Sequence, residues 1–331
     1  MTGSVGSPHT TQLLSVKNLT VGFRRKDGGL APAVRGVSFD LQRGEVLALV
    51  GESGCGKSAT ALSLIGLLAR NALVGGSAEF EGQNLLSLEE HTWELLRGRR
   101  IGMIFQDPMT ALDPLYRIGE QIAEALRRHM KLSPAAQTAR IHELLMLVGI
   151  SDPEVRVRQY PHQLSGGLRQ RVVIAIALAC NPEFIIADEP TTALDVTIQA
   201  QIVKLLADLN QKIGMGMIFI SHDLGVVSQI ADKIAVMYAG QVVESGPCAD
   251  LLNSPAHPYT RGLLASVPKP QMAPKQLLQA IPGTVPDMAR LGAGCAFRNR
   301  CPQANEKCQV EPDLAAISLN RAVRCWFPRT D

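Results

Sequence analysis

The sequence predicts an α/β fold built on a phosphate-binding loop, with an antiparallel β-subdomain, an inserted helical subdomain and a small Cys-rich C-terminal extension. Three observations predict it. The apolar run 46–50 leads into Gly51-Glu52-Ser53-Gly54-Cys55-Gly56-Lys57-Ser58, which fits the pattern G-x-x-x-x-G-K-S/T without a mismatch, and a helix-forming run follows over 58–68. A second apolar run, 184–187, ends in the adjacent acids Asp188 and Glu189, and strand ends are where ligands bind in an open α/β sheet. Between the two, residues 107–161 change to helical spacing and are punctuated by prolines 108, 114, 153 and 161.

Taken in order, residues 1–12 are polar, without the charged and apolar regions of a signal peptide, and read as a flexible N-terminus. Short apolar stretches at 14–16, 19–21, 33–34 and 37–39 predict a strand-rich segment. Phe23 follows the first of these strands, where an aromatic either stacks on a purine base or fills the core. In the loop itself, the glycines let backbone N–H groups curl around a phosphate chain. Lys57 reaches the β- and γ-phosphates, and the Ser58 hydroxyl ligates Mg2+. A short strand and turn follow at 79–82, then a strand at 101–105 that ends at Gln106. A glutamine there either touches Mg2+ and the attacking water or is an ordinary polar loop residue. Residues 118–129 and 134–148 carry apolar positions at helical spacing.

Leu164-Ser165-Gly166-Gly167-Leu168 then opens an apolar helix over 172–179. Ser165 reads as an N-cap, or the turn offers free N–H groups to a γ-phosphate. Beyond it, Asp188 is placed to hold Mg2+ through water and Glu189 to polarise the attacking water. Residues 191–195 turn into a helix over 196–209, and the strand 217–220 ends at Ser221-His222, with His222 placed for a γ-phosphate. Residues 234–237 and 241–244 read as a hairpin around Ala239-Gly240.

Composition narrows the function. The 331 residues are 46% hydrophobic and 19% charged, enough for one large or two modest domains. A net charge of +3 gives no polycation for nucleic acid. No apolar run approaches the ~18 residues that a spanning helix needs. Of seven cysteines, Cys295, Cys301, Cys308 and Cys325 share one C-terminal segment with spacing C-x5-C-x6-C-x16-C. In a reducing cytosol such a cluster suggests a metal site before disulfides. The spacing matches neither zinc-finger pairs nor a ferredoxin run, so by itself it does not choose the metal. Arg298, Arg300 and Arg324 lie close in sequence and are expected to offset thiolate charge.

Together these pieces resemble the nucleotide-binding subunit of ABC transporters, over about residues 13–255. In that family's terms, Gly51–Ser58 with Ala59 resembles Walker A. Gln106 resembles the Q-loop residue, and Leu164, Ser165, Gly166, Gly167 and Leu168 resemble the signature, with Leu168 where glutamine is usual. Phe184–Asp188 resembles Walker B, Glu189 the catalytic glutamate, Asp195 the D-loop acid and His222 the switch histidine. Phe23 matches the adenine-stacking aromatic. The resemblance implies a P-loop NTPase core that binds ATP and Mg2+ and hydrolyses ATP, with Glu189, His222 and Gln106 catalytic and with Ser58, Gln106 and Asp188 on Mg2+. It also implies a helical subdomain at about 107–165 and a signature that acts in trans on a second subunit's nucleotide.

The segments QDPMTALDPLYRIGEQI, YPHQLSGG, DEPTTALDVTIQAQI and MYAGQVVESG, with HPYTRGLL at 257–264, IPGTVP at 281–286 and GCAFRNRCP at 294–302, resemble the dipeptide, oligopeptide and nickel importer branch. That resemblance implies a C-terminal extension over 256–331 and a 4Fe-4S cluster on Cys295, Cys301, Cys308 and Cys325, with zinc or free thiols as the alternatives. It implies a homologous second ATPase in a heterodimer, two transmembrane permeases and an extracytoplasmic peptide-binding protein. The place implied is peripheral, on the cytoplasmic face of the bacterial inner membrane. Peptides are the expected cargo, with nickel, heme or glutathione-like compounds as alternatives. A soluble ABC protein of translation or repair would need a second cassette or a long coiled coil, and no heptad run of that length is present.

Overall fold

The computed structural model describes residues 12–192, 194–267 and 280–329. The expected flexible N-terminus, apart from Gln12, lies outside the described residues, as does Ala193 ahead of Asp195. In chain order the strands are β1 (Gln12–Arg24), β2 (Leu30–Gln42), β3 (Val46–Val50), β4 (Ala72–Phe80), β5 (Gln83–Asn84) and β6 (Ile101–Ile104). They continue with β7 (Phe184–Asp188), β8 (Gly216–Ser221), β9 (Lys233–Tyr238), β10 (Gln241–Pro247), β11 (Ala315–Ser318) and β12 (Arg321–Val323). One sheet is antiparallel in the order β2-β1-β4-β5, and the other runs β11-β12-β10-β9-β3-β8-β7-β6.

The larger sheet positions the site. Every residue of β3, β7 and β8 is buried, which is why these strands read as unbroken apolar runs: a parallel strand covered on both faces has no solvent side. β3 pairs in parallel with both β8 and β9, and β7 with both β6 and β8. The registers are level at one edge. Val50 sits opposite Ser221, and Asp188 opposite Ile220. The residues that follow these strands, Gly51, Glu189 and His222, therefore leave the sheet together.

Residues between β6 and β7 supply helices at Ile118–His129 and Pro134–Leu147. The second starts with Ser133 accepting from the Ala136 N–H and with Pro134 in the first turn, both favoured at helix starts. Ile118, Ile122 and Leu126 recur at the four-residue spacing of one helix face and are buried with Leu144 and Leu145 against the helix Gly166–Ala177. Burying each such side chain contributes about 2 kcal/mol. A second core fills the space between the antiparallel sheet and the opposite face of the large one, through Leu14, Leu19, Phe80, Leu49 and Ile218.

Several expectations shift. The two short strands expected at 14–21 are one strand, β1, broken by a bulge between Val16 and Leu19 where Asn18 takes a left-handed φ of 49°. The strand expected at 79–82 begins seven residues earlier at Ala72, hidden by Gly75-Gly76. The helix expected over 58–68 is Lys57–Ser63, and the chain turns at Gly66 with φ 63°. A helix at Glu90–Leu96 that buries Trp93 was not foreseen. The hairpin at Ala239-Gly240 holds, both residues having positive φ as a two-residue turn requires.

The largest difference lies in the C-terminal residues. The sequence suggests a small Cys-rich extension set apart from the α/β core. Instead, β12 pairs with β10 and extends the large sheet. Phe297, 3% exposed, packs edge-on against Tyr238 with centroids 5.2 Å apart and lies 5.4 Å from Tyr259. The tail shares the main core, because those aromatics supply apolar surface that its own sequence lacks.

Candidate nucleotide site

At the level edge of β3, β7 and β8 lies a cavity of about 850 Å3. Its walls include Glu52, Ser53, Gly54, Gly56, Lys57, Ser58 and Ala59 from the loop, and Gln106, Glu189 and His222 from the ends of neighbouring strands. Gly51 and Cys55 stand behind the loop, and both are buried. Two loop glycines have steric reasons to be glycine. A Cβ on Gly51 would meet the Met237 carbonyl oxygen at 2.2 Å, and Gly56 has φ 104° with the Ala33 carbonyl 2.4 Å from where its Cβ would be. The loop is packed against β9 and β2 too closely for any side chain there.

Polar groups inside the cavity are tied to one another. Lys57 Nζ donates to the Gly51 carbonyl at 2.8 Å and the Glu52 carbonyl at 3.2 Å, and stands 3.7 Å from Glu189 Oε1. Glu189 Oε2 accepts from Thr192 Oγ1 at 2.9 Å and Gln106 Nε2 at 3.3 Å, and His222 Nδ1 lies 3.3 Å from it. Glu189 has a left-handed φ of 46°, a strain that aims its side chain back over the loop and that proteins hold at functional sites. Ser58 Oγ donates to Asp188 Oδ1 at 3.1 Å. Burial pushes the Asp188 carboxyl above the usual range and the Glu189 charge adds to this, while the Ser58 hydrogen bond and Lys57 oppose it. A buried carboxylate beside a hydroxyl, at the foot of a phosphate loop, is a donor pair suited to Mg2+. Burial also pushes the Cys55 thiol up, so this cysteine fills space.

Other expected residues stand elsewhere. Phe23 does not line the cavity: it pairs with Ala31 and Ala72 inside β1 and packs on the second core. Phe23 is half-buried there, with part of its side chain left exposed. Leu164, Ser165, Gly166, Gly167 and Leu168 also lie off the cavity. Ser165 caps the helix Gly166–Ala177 by accepting from the Leu168 N–H at 3.4 Å, and Ser165 and Gly166 are exposed. Asp195 caps the helix Val196–Ile213 through the Ile198 N–H at 3.0 Å.

Cys295, Cys301, Cys308 and Cys325 do line one enclosed cavity, but its volume is about 10 Å3, room for roughly one water. Burial, together with the charges of the other cysteines, pushes the Cys295, Cys301 and Cys325 thiols up. Among the described residues no group of three or more His, Cys, Asp or Glu side chains is placed to hold a metal ion. The four cysteines share one pocket, and as placed they do not form a metal-ligand set. The arginines differ too. Arg300 binds Glu52, Arg298 the Ala293 carbonyl, and Arg324 the Val242 and Pro312 carbonyls. The guanidinium whose charge lowers Cys301 and Cys325 is Arg261.

Sequence reasoning missed Ala33, Leu263, Ile281, Met288 and Arg300 on the nucleotide cavity. Three of these fall within or beside the quoted segments HPYTRGLL, IPGTVP and GCAFRNRCP, which was the one available signal.

Comparison with known proteins agrees with this arrangement. Residues 34–192 match the family described as ABC transporter, and 243–308 the one described as oligopeptide/dipeptide transporter, C-terminal region. The chain is 50% identical over 324 residues to the oligopeptide transport ATP-binding protein OppD of Bacillus subtilis, covering 97% of this chain and 90% of that one. It is 50% identical over 319 residues to the dipeptide transport ATP-binding protein DppD of the same organism, covering 96% and 95%. Among solved structures, the ATP-binding cassette MJ0796 in a post-hydrolysis dimer bound to ADP and phosphate superposes with a TM-score of 0.64 at 28% identity, covering 71% of this chain and 99% of that one. The chain belongs to the ABC transporter family, in its branch of ATP-binding subunits with the oligopeptide/dipeptide C-terminal region.

Proposed function

We propose that this chain hydrolyses ATP to ADP and phosphate and so powers the import of di- and oligopeptides across a bacterial inner membrane. The observation that carries the reading is the convergence of Lys57, Ser58, Asp188, Glu189, Gln106 and His222 from four strand ends on one site. Lys57 leaves the Gly51 and Glu52 carbonyls to hold the β- and γ-phosphates. Ser58 and Asp188 hold Mg2+, which neutralises phosphate charge when bound. Glu189 Oε2 takes the proton of the attacking water, which Gln106 and His222 orient from either side. Each pairs with Glu189 already, so the three are preorganised.

The exposed Ser165-Gly166 turn covers the nucleotide of a homologous second ATPase, and that subunit's turn covers this one. ATP joins the two subunits, and loss of the γ-phosphate releases them. Two permeases and an extracytoplasmic peptide-binding protein complete the importer, with residues 106–117 receiving a permease. The chain sits peripherally on the cytoplasmic face. This agrees with the fact that no helix among the described residues is long and apolar enough to cross a membrane. For the tail, we propose a 4Fe-4S cluster on Cys295, Cys301, Cys308 and Cys325, supported by their shared cavity and requiring the thiols to move apart. About four irons and four sulfides per chain after anaerobic purification is the expected result, and one zinc or no metal overturns it.

Cargo is tested in cells lacking this chain. Restored uptake of labelled dipeptides and tetrapeptides on complementation is expected. Restored uptake of nickel, heme or glutathione with no peptide uptake overturns the peptide reading and leaves the ATPase.

A further inference from the structure

Glu52, the second residue of the phosphate loop, is held at three points. Its carboxylate accepts from Arg300 Nη1 at 2.6 Å and Nη2 at 2.9 Å. Its N–H donates to Tyr259 Oη at 2.9 Å, and its carbonyl accepts from Lys57 Nζ at 3.2 Å. Arg300 is itself fixed. Its side chain is 5% exposed, Nε donates to the Pro282 carbonyl at 2.9 Å, and the guanidinium lies 5.8 Å from the centre of the Tyr238 ring. Tyr259 and Arg300 both come from the C-terminal region, and Arg300 immediately precedes Cys301. The tail thus holds the loop through Tyr259 and Arg300, and Arg300 itself stands on the cavity wall beside Glu52.

The charges give this contact a direction. Glu52 lines the same cavity as Lys57 and Ser58. A free carboxylate at the mouth of a phosphate loop repels a triphosphate. The Arg300 fork neutralises it and keeps it drawn back, and a planar guanidinium is the group that makes two parallel bonds to one carboxylate. We propose that Arg300 is a positioning residue for nucleotide binding: it acts on ATP through Glu52, so that the C-terminal region completes the phosphate loop. The proposal rests on the ATPase reading above. It also accounts for why the tail docks through Phe297 on Tyr238 and Tyr259, which places Arg300 within reach of the loop.

The test is equilibrium binding of Mg·ATP to the full chain in two backgrounds. In the chain with Glu52, Arg300→Met weakens Mg·ATP binding about tenfold. In a Glu52→Gln chain the same change shifts binding less than about twofold, because no carboxylate remains to restrain. The Glu52→Gln background serves as its own reference, so a general loss of folding by Arg300→Met appears as equal weakening in both backgrounds. Arg300→Lys falls between, since lysine keeps the charge and loses the fork. In the assembled transporter, the Arg300→Met loss appears in KM for ATP and not in kcat. Equal weakening by Arg300→Met in both backgrounds overturns the proposal, since Arg300 then acts on the nucleotide or on the fold directly. A wild-type chain that binds no Mg·ATP overturns the ATPase reading and this proposal together. Tight wild-type binding with an unaltered Arg300→Met overturns this proposal only.

Discussion

Lys57 Nζ stands 3.7 Å from Glu189 Oε1 while it donates to the Gly51 carbonyl at 2.8 Å. The loop lysine and the acid that follows β7 are therefore in direct contact on the wall of the same cavity. The ion pair turns the Glu189 carboxylate toward the loop. Glu189→Gln keeps the shape and removes the base. Its expected effect is ATP binding close to wild type with hydrolysis slowed about a thousandfold. Nucleotide retention and phosphate release, measured on the same sample, check this. Normal phosphate release would assign the base elsewhere.

Ser58 and Asp188 form the other half of the site. Burial holds the Asp188 carboxyl above its ordinary value of 3.8, so protonation reaches it at a higher pH than it reaches an exposed aspartate. A protonated Asp188 is a poor Mg2+ ligand. The Mg2+ concentration for half-maximal ATPase should therefore rise over the acid interval in which Asp188 protonates, which begins at a higher pH than for an exposed aspartate. Asp188→Asn should need more Mg2+ throughout and lose that pH dependence. A wild-type Mg2+ requirement that is flat over the interval contradicts this.

His257 links the tail to acid stability. It is 1% exposed, and its Nδ1 accepts from the Tyr259 N–H at 3.0 Å. Burial first, then the charge of Arg261, pushes its pKa down from 6.5 to about 3. The unfolded chain binds a proton near 6.5 that the folded chain refuses until about 3. Stability is therefore full above 6.5 and falls as pH drops toward 3, at about 1.4 kcal/mol per unit for this group. Denaturant midpoints at about pH 7 and about pH 5.5 should differ by about 1 kcal/mol from His257. His257→Asn keeps a capping acceptor and should remove most of that difference. A variant with the wild-type pH dependence would show that His257 is not the group responsible.

Much of the nucleotide site was legible because it is built from strand ends. A parallel strand buried on both faces must be apolar throughout, so β3, β7 and β8 announce themselves, and the polar residues after them mark the edge. Phe23 was less legible. Position after an apolar strand does not tell which face a side chain takes, and the bulge at Asn18 resets that alternation. The cysteine spacing gives no Sγ separation, so it could not reveal a cavity of only about 10 Å3. Arg300 and Glu52 are separated by 248 residues, and only folding brings an arginine read as a thiolate partner onto the phosphate loop. Local patterns do not report a contact of that range. The tail's docking was hidden for the same reason, since its apolar partners Tyr238 and Tyr259 lie in other segments.

The most direct measurement is phosphate release by the reconstituted transporter, supplied with peptide-loaded binding protein, with wild-type chain and with Lys57→Ala. ATP hydrolysis stimulated by the loaded binding protein, reduced about a hundredfold or more by Lys57→Ala, is the result that the account predicts. Wild-type phosphate release from Lys57→Ala would contradict it, because the loop that organises the fold would then not be where ATP is spent.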